Sequence, residues 1–296
     1  MQPKTAADFD QELLILFDAY VHGGIDRRGF LQQAQKFAAG GVSAAMLLAS
    51  LSPDFSIAQV LPKGDGRIRT ESVSYASAGG SGTMKGYLAM PANASGPLPG
   101  VLVIHENRGL NPHIEDIARR LAVDNFVAFA PDALTPLGGY PGDEQQAVGL
   151  FAKLDQARTR EDFVAAAAFL RKRPECSGKM GAVGFCWGGG MVNTLAARLP
   201  ELAAAVPFYG SPPAAAEIAQ VKAPLLLHFA GIDERINAAW PAYEAGLKAA
   251  GARYTAHQYA GTQHGFNNDT TPRFDAAAAK LAWDRTLAFL NQHLRS

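Results

Sequence analysis

Lys179-Met180-Gly181-Ala182-Val183-Gly184-Phe185-Cys186-Trp187-Gly188-Gly189-Gly190 is the stretch that most constrains the fold of this chain. A short apolar run of small residues leads into Gly-Phe-Cys-Trp-Gly, and Met191-Val192-Asn193-Thr194-Leu195-Ala196-Ala197-Arg198 then repeats apolar residues at spacings of three and four. The pattern predicts strand, tight turn, helix. A Gly-x-Cys-x-Gly turn in that context lifts its central residue above the sheet at a helix N-terminus, in a backbone conformation that L-residues resist. The glycines keep side chains out of the strand-helix crossing, and the helix dipole favours a thiolate there. A structural cysteine beside a glycine-rich bend is the bland alternative, and only the flanking elements and further partners decide against it.

Length and charge narrow the rest. With 296 residues and 48% hydrophobic content, the chain can bury a full core. Lys plus Arg and Asp plus Glu balance at 27 each, so no global field draws it to nucleic acid, and a small-molecule partner is expected. The only cysteines, Cys176 and Cys186, bracket one strand. At roughly 3.3 Å per residue they lie about 20 Å or more apart, so both are expected as free thiols.

From residue 59 onward, strand and helix patterns alternate. Strands are predicted at Arg69–Ser77, Thr83–Met90, Val101–His105, Phe126–Ala130, Ala203–Tyr209, Leu225–Ala230 and Tyr254–Tyr259. Helices are predicted at His113–Val123, Glu161–Arg173, near Pro241–Ala250, and at Phe274–Leu294. This alternation implies a mostly parallel sheet covered on both faces, with chemistry at the carboxyl ends of the strands.

The first 58 residues read differently. A short amphipathic helix is expected within residues 1–22, carrying Leu13, Leu14, Leu16, Phe17 and Tyr20. Asp26-Arg27-Arg28-Gly29-Phe30-Leu31, the low-charge run Phe37 to Ser52 and Ser56-Ile57-Ala58-Gln59 follow. Paired arginines, an apolar segment shorter than a membrane span and a small-x-small site match a twin-arginine export signal cut after Ala58. That predicts a periplasmic or secreted protein with no stable membrane span in its mature form. The opposing reading keeps these residues as helices that pack on the domain or mediate a homodimer, in a cytoplasmic protein; the long acidic n-region favours it.

A thiol nucleophile needs a base, and the base an orienting acid. Of seven histidines, His22 is set aside as part of the leader, His293 as C-terminal, His113 as a helix start, and His228 and His257 as strand residues with packing roles. His105 ends a strand and is a weaker candidate for lining the site. His264 sits in the loop after the last strand, and Asp233 directly follows the strand before it, with Glu234 as the rival acid. Nucleophile, acid, histidine is the chain order of an α/β-hydrolase fold. In that fold the loop His105-Glu106-Asn107-Arg108-Gly109-Leu110 supplies one oxyanion-hole N–H, from Asn107, beside that of Trp187.

With those segments in hand, the chain from about residue 65 to 294 resembles the dienelactone hydrolases, or carboxymethylenebutenolidases. The resemblance rests on the Gly-Phe-Cys-Trp-Gly-Gly turn, the His-Glu-Asn-Arg-Gly-Leu loop, Pro131-Asp132-Ala133-Leu134, and the Asp233 and His264 loops. It implies an α/β-hydrolase fold without cofactor or metal, in which Cys186 is the nucleophile, His264 the base, Asp233 its partner and Glu106 an acid that takes the thiol proton when substrate binds. Like-charge repulsion from Glu106 would hold the free enzyme's Cys186 as a thiol, slow to alkylate; a structural Glu106–Arg108 ion pair is the rival. The chain departs from the family where two arginines hold the substrate carboxylate. One position is Asn268 and the other falls in Gly142-Asp143-Glu144-Gln145-Gln146. Arg108 and Tyr140 are therefore carried as substrate-binding candidates, with Arg273 as a further substitute. The expected activity is hydrolysis of carboxylic esters or lactones through an acyl-cysteine; a non-hydrolytic thiol redox or binding protein on the same scaffold is the rival.

Overall fold

The computed structural model describes residues 4–55 and 60–296. Eight strands form one sheet: β1 (Ile68–Ser77), β2 (Gly82–Pro91), β3 (Leu98–Ile104), β4 (Val127–Pro131), β5 (Cys176–Phe185), β6 (Ala204–Phe208), β7 (Leu225–Ile232) and β8 (Tyr254–Gln263). Their order is β1-β2-β4-β3-β5-β6-β7-β8. The β1–β2 hairpin and the β2–β4 pair are antiparallel, and every other neighbour is parallel. This is the mostly parallel sheet that the alternation implied, in the α/β-hydrolase architecture that the family resemblance implied. The chain winds to one side of β3 and then returns to place β5 on the other, so the carboxyl ends of β3 and β5 flank the point where the winding reverses. Open parallel sheets hold their ligands at that point.

The central strands read as near-continuous apolar runs because both faces are covered. Along β3 and β5, Val101, Val103 and Val183 face one cluster, and Leu102, Ile104, Met180 and Ala182 face the other. The covering helices are α4 (Pro112–Val123), α5 (Glu144–Phe151), α6 (Gln156–Arg171), α7 (Trp187–Arg198), α8 (Ala215–Ile218), α9 (Glu234–Asn237), α10 (Trp240–Ala249) and α11 (Ala276–Leu294). Asn111 caps α4 through a side-chain bond to Ile114 N, with Pro112 in its first turn, so the helix starts one residue before the periodic apolar pattern does. The helix α5 was not foreseen. Its apolar residues crowd its second half, and it owes its place to Ala147 and Phe151 packing with Leu134 in a small separate cluster.

At the β5–α7 crossing, close approach needs glycine. A Cβ on Gly184 would lie 2.3 Å from the carbonyl oxygen of Gly188, and one on Gly188 would lie 2.3 Å from that of Ile104. Both obstacles are backbone, so neither can swing aside. Gly184→Ala is expected to cost at least ~3 kcal/mol by forcing helix and strand apart, and to lower Tm by on the order of 10 °C. A melting curve matching the wild type would show that the crossing is looser than these distances require.

Ahead of the sheet lie three more helices, α1 (Gln11–Val21), α2 (Arg27–Ala34) and α3 (Ala44–Leu51). They share a hydrophobic core of their own, built from Leu13, Leu14, Phe17, Val21, Phe30, Ala34, Leu48 and Leu51. Phe30 is wholly buried, with Phe17 edge-on at 6.2 Å. Burying each such side chain contributes about 1.5–3 kcal/mol. Side-chain oxygens of Asp10, Asp26 and Ser43 cap the three helices. The run Phe37 to Ser52 thus becomes a turn plus an eight-residue helix, and among the described residues no helix is long and apolar enough to cross a membrane. Arg27 and Arg28 open α2. The small-x-small site at Ser56-Ile57-Ala58-Gln59 lies outside the described residues.

These helices dock on the sheet domain at several points. Gln11 and Gln263 exchange two side-chain hydrogen bonds, Asn107 Nδ2 donates to Val21 O at 2.6 Å, Arg27 Nη1 donates to Gln145 Oε1, and Asp54 N donates to Thr270 O. The contacts converge on one end of the sheet, where the carboxyl ends of β3 and β5 lie.

Candidate active site

Cys186 stands between β5 and α7 at φ 55° and ψ −116°, a backbone conformation that costs of order 1–3 kcal/mol for an L-residue. Its N–H donates to Phe208 O and its carbonyl accepts from Gly190 N, so the surrounding elements hold the strain in place. Cys176, at the far end of β5, is also a free thiol. The sulfur of Cys186 is nearly buried but borders a cavity of about 370 Å³.

His264 follows β8 on its loop, and its Nδ1 lies 2.5 Å from Asp233 Oδ2. Asp233 is buried where it caps α9; Glu234, the rival acid, begins that helix. With Nδ1 committed to the carboxylate, Nε2 is the nitrogen left for chemistry, and it is buried without a hydrogen-bond partner among the described residues. Burial disfavours the imidazolium, but the Cys186 sulfur and Asp233 outweigh it, and the pKa of His264 is raised.

The third group at the sulfur is one that sequence reasoning set aside. His22, just past the C-terminal end of α1, places Nε2 3.2 Å from Cys186 Sγ. Its Nδ1 faces Asp18, 2.8 Å from the carbonyl and 3.2 Å from Oδ1. One ring nitrogen of His22, one of His264 and the sulfur all lie within 4.8 Å of one another. Burial opposes ionisation of Cys186, yet the two imidazoles beside it prevail and bring the thiol down to about 6. A sulfur and two imidazoles are also donor types that a zinc-like ion takes. They come from three distant segments, so no local ligand spacing marks them in the sequence.

Glu106 corrects an expectation. It is buried at the end of β3, but its Oε2 accepts from Asn268 Nδ2 at 2.9 Å, and among the described residues it makes no hydrogen bond to Cys186. The place beside the sulfur that it was expected to take belongs to His22. Nor does Glu106 pair with Arg108, whose Nε meets Glu144 Oε2 at 2.6 Å. That pairing also removes Arg108 as a substrate-binding candidate. Tyr140 donates its hydroxyl to Glu144, and neither Tyr140 nor Arg108 lines the cavity. Arg273 is spent on Asp18 Oδ1, at 3.2 Å, and its guanidinium lies over the Phe17 ring.

Asn107 and Trp187 are the oxyanion-hole candidates. Among the described residues, neither Asn107 N nor Trp187 N enters a backbone hydrogen bond, and both residues line the cavity. His105 is structural: burial lowers its pKa, so it is neutral, with Nε2 accepting from Ala133 N and Nδ1 donating to Glu106 O. It also stacks on Trp187. Asp132 ties the neighbouring loops by accepting from the N–H groups of Leu110, Leu134 and Tyr140, which explains the Pro-Asp-Ala-Leu segment.

Two further cavity residues carried no signal in the sequence. Tyr209, at φ 38°, has a buried hydroxyl with no partner among the described residues, and burial keeps it protonated as a donor. Arg235 brings Nη2 to 3.1 Å from His22 Nε2 and 3.5 Å from His264 Nδ1. Val21, Val148, Phe151 and Trp187 supply apolar walls.

Comparison with known proteins bears on the family and the fold. Residues 1–39 match a family model described as YqhI-like. A protein of Escherichia coli O157:H7 named "Putative carboxymethylenebutenolidase" is 33% identical over 225 residues, which is 71% of this chain and 83% of that one. "Putative hydrolase fragment YghX" of Escherichia coli strain K12 is 43% identical over 114 residues, or 38% of this chain and 97% of the fragment. Among solved structures, "Putative Dienelactone Hydrolase" from Klebsiella pneumoniae subsp. pneumoniae MGH 78578 superposes with a TM-score of 0.68 at 29% identity, over 76% of this chain and 99% of that one. Residues 84–294 match the family model for dienelactone hydrolases, and by the span of that match the chain belongs to the dienelactone hydrolase family.

Proposed function

We propose that the protein hydrolyses small carboxylic esters or lactones through a Cys186–His264–Asp233 triad and an acyl-cysteine intermediate. The observation that carries this reading is the strained Cys186 at the N-terminus of α7, facing a histidine whose other nitrogen is held by a buried aspartate. The thiolate attacks the carbonyl carbon, and the oxyanion forms between the N–H groups of Asn107 and Trp187. On collapse, the His264 imidazolium protonates the leaving oxygen. Water then loses a proton to the same imidazole and attacks the thioester, the C–S bond breaks, and acid and thiolate are returned. A cavity of about 370 Å³ with apolar walls and one guanidinium, Arg235, suits a compact acyl group, with room for an anionic substituent. A panel of p-nitrophenyl esters and small lactones, with and without prior iodoacetamide treatment, tests the assignment. Turnover that survives full alkylation of Cys186 would overturn it.

For the N-terminal segment, we infer that it stays with the enzyme. The support is its own hydrophobic core, its docking bonds to Gln263, Asn107 and Gln145, and the separate family model that residues 1–39 match. Export by the twin-arginine route stands as the competing proposal on the strength of Arg27-Arg28 and the sequence that follows. N-terminal sequencing of the protein from its own host separates the two: a chain beginning near residue 59 would establish removal and overturn retention.

A further inference from the structure

Two Asp–His pairs converge on one sulfur. The first, Asp233–His264, is the triad partner. The second, Asp18–His22, belongs to α1 and its C-terminal cap, outside the span that matches the dienelactone hydrolase model. Its geometry is built. The Nδ1 of His22 faces two acceptors, the carbonyl and the carboxylate of Asp18, so Nδ1 carries a proton in either charge state of the ring. Asp18 is itself fixed: Arg273 Nη1 lies 3.2 Å away, Arg235 Nε lies 3.7 Å away, and its carboxyl stays well below the usual carboxylate range because His22, His264 and Arg273 outweigh burial. Nε2 is thereby aimed at Cys186 Sγ, and the His22 ring stands edge-on to the His264 ring, centroids 4.7 Å apart.

We propose that His22 is a catalytic residue, a second imidazole whose Nε2–H donates a hydrogen bond to the Cys186 thiolate and holds it ready for attack. The proposal rests on the reading of Cys186 as the nucleophile. His22 keeps its proton through the cycle: the thiol proton passes to His264 and from there to the leaving oxygen, while His22 supplies charge and one donor. Every charged or titratable neighbour of His22 bears on its state. The Cys186 sulfur and Asp18 favour its protonation, and burial, His264 and Arg235 oppose it; the balance leaves its pKa raised. When the sulfur becomes a neutral thioester, the main attraction for that proton weakens. His264 alone would leave the thiolate with one imidazole on one side. His22 closes the other side and at the same time forms a wall of the substrate cavity.

The test is the pH profile of Cys186 alkylation by iodoacetamide in the full chain, read alongside kcat/KM for p-nitrophenyl acetate. In the wild type, reaction should rise through a midpoint near pH 6, the value to which the two imidazoles bring the thiol. In His22→Ala the midpoint should move toward the ordinary thiol range of about 8.5. Alkylation and kcat/KM at pH 7 should then fall on the order of ten-fold, and both should recover near pH 9, where the thiol ionises unaided. His22→Gln keeps a donor without the charge and should fall between the two. Asp18→Asn acts through His22 as a positioning change and should shift the midpoint the same way by less. A purely structural role would lower rates evenly across pH with the midpoint unmoved, and that result overturns the proposal. So does an unchanged profile in both His22 variants at wild-type melting temperature. Because alkylation needs no substrate, a shifted midpoint in a protein that hydrolyses nothing on the panel would leave His22 assigned and sink only the hydrolase reading.

Discussion

Cys186→Ala is expected to abolish ester and lactone hydrolysis, with kcat reduced by at least ~10³-fold, because what remains is an oxyanion hole and a cavity with nothing to form the acyl intermediate. Cys176→Ala should leave activity near the wild type, since that thiol sits at the opposite end of β5, and burial raises its pKa. Cys186→Ser is the sharper comparison. A serine hydroxyl is not ionised by two imidazoles as a thiol is, so the variant loses the ground-state thiolate and should retain only a small residual rate. Mass spectrometry after brief incubation with an activated ester should show an acyl adduct on the peptide carrying Cys186 and none on the one carrying Cys176. An adduct elsewhere, or full activity in Cys186→Ala, would remove the nucleophile from its role and leave the strained turn without a chemical reason.

The strands were legible because they are local, periodic statements: β3, β4 and β5 are apolar runs bounded by turns, whereas their order in the sheet was not marked in the sequence. Strand ends were displaced by up to four residues where backbone pairing outlasts the apolar pattern, as in β8, which continues past Tyr259 to Gln263. Cys186, Asp233 and His264 stood out for the same reason, since each follows directly on a strand. What could not be read was which distant segments meet. Glu106 lies on the predicted loop, yet the direction of its carboxylate is set by Asn268, 162 residues away. Arg108 looked free until Glu144 closed on it from α5, a helix the sequence barely marks.

His22 is the instructive miss. Its segment reads as a leader in the sequence, which hides it, although Asp18 and His22 are four apart, on one face of an amphipathic helix, where side chains meet. An Asp-x-x-x-His pair on a helix beside a paired-arginine sequence is a local signal of an oriented imidazole. Local pattern cannot say that the helix folds back over the carboxyl ends of β3 and β5. The segment's own core, with Phe17, Phe30 and Leu51 buried against one another, was equally open to an export reading, because both need an apolar run.

His264→Ala is expected to lower kcat by on the order of 10³-fold or more, the usual loss for the base of such a triad. Asp233→Asn should lose as much or less, and Glu234→Gln little, since the contact to Nδ1 belongs to Asp233. The pH dependence carries the sign of each role. Activity requires a thiolate and a protonated His264 together. The thiol is brought below its ordinary range, so kcat/KM rises with pH through about 6 rather than through the ordinary thiol range. The pKa of His264 is raised by Cys186 and Asp233 against burial, so its proton is lost, and activity declines, only well above the ordinary histidine range. The wild-type profile should therefore be a broad plateau spanning neutral pH. Asp233→Asn weakens the hold on the imidazolium and should pull the alkaline limb down toward neutrality while moving the acid limb upward, narrowing the plateau from both sides. If Asp233→Asn left both limbs in place and Glu234→Gln narrowed them, the orienting acid would be Glu234, and the 2.5 Å contact at His264 Nδ1 would be a structural bond only.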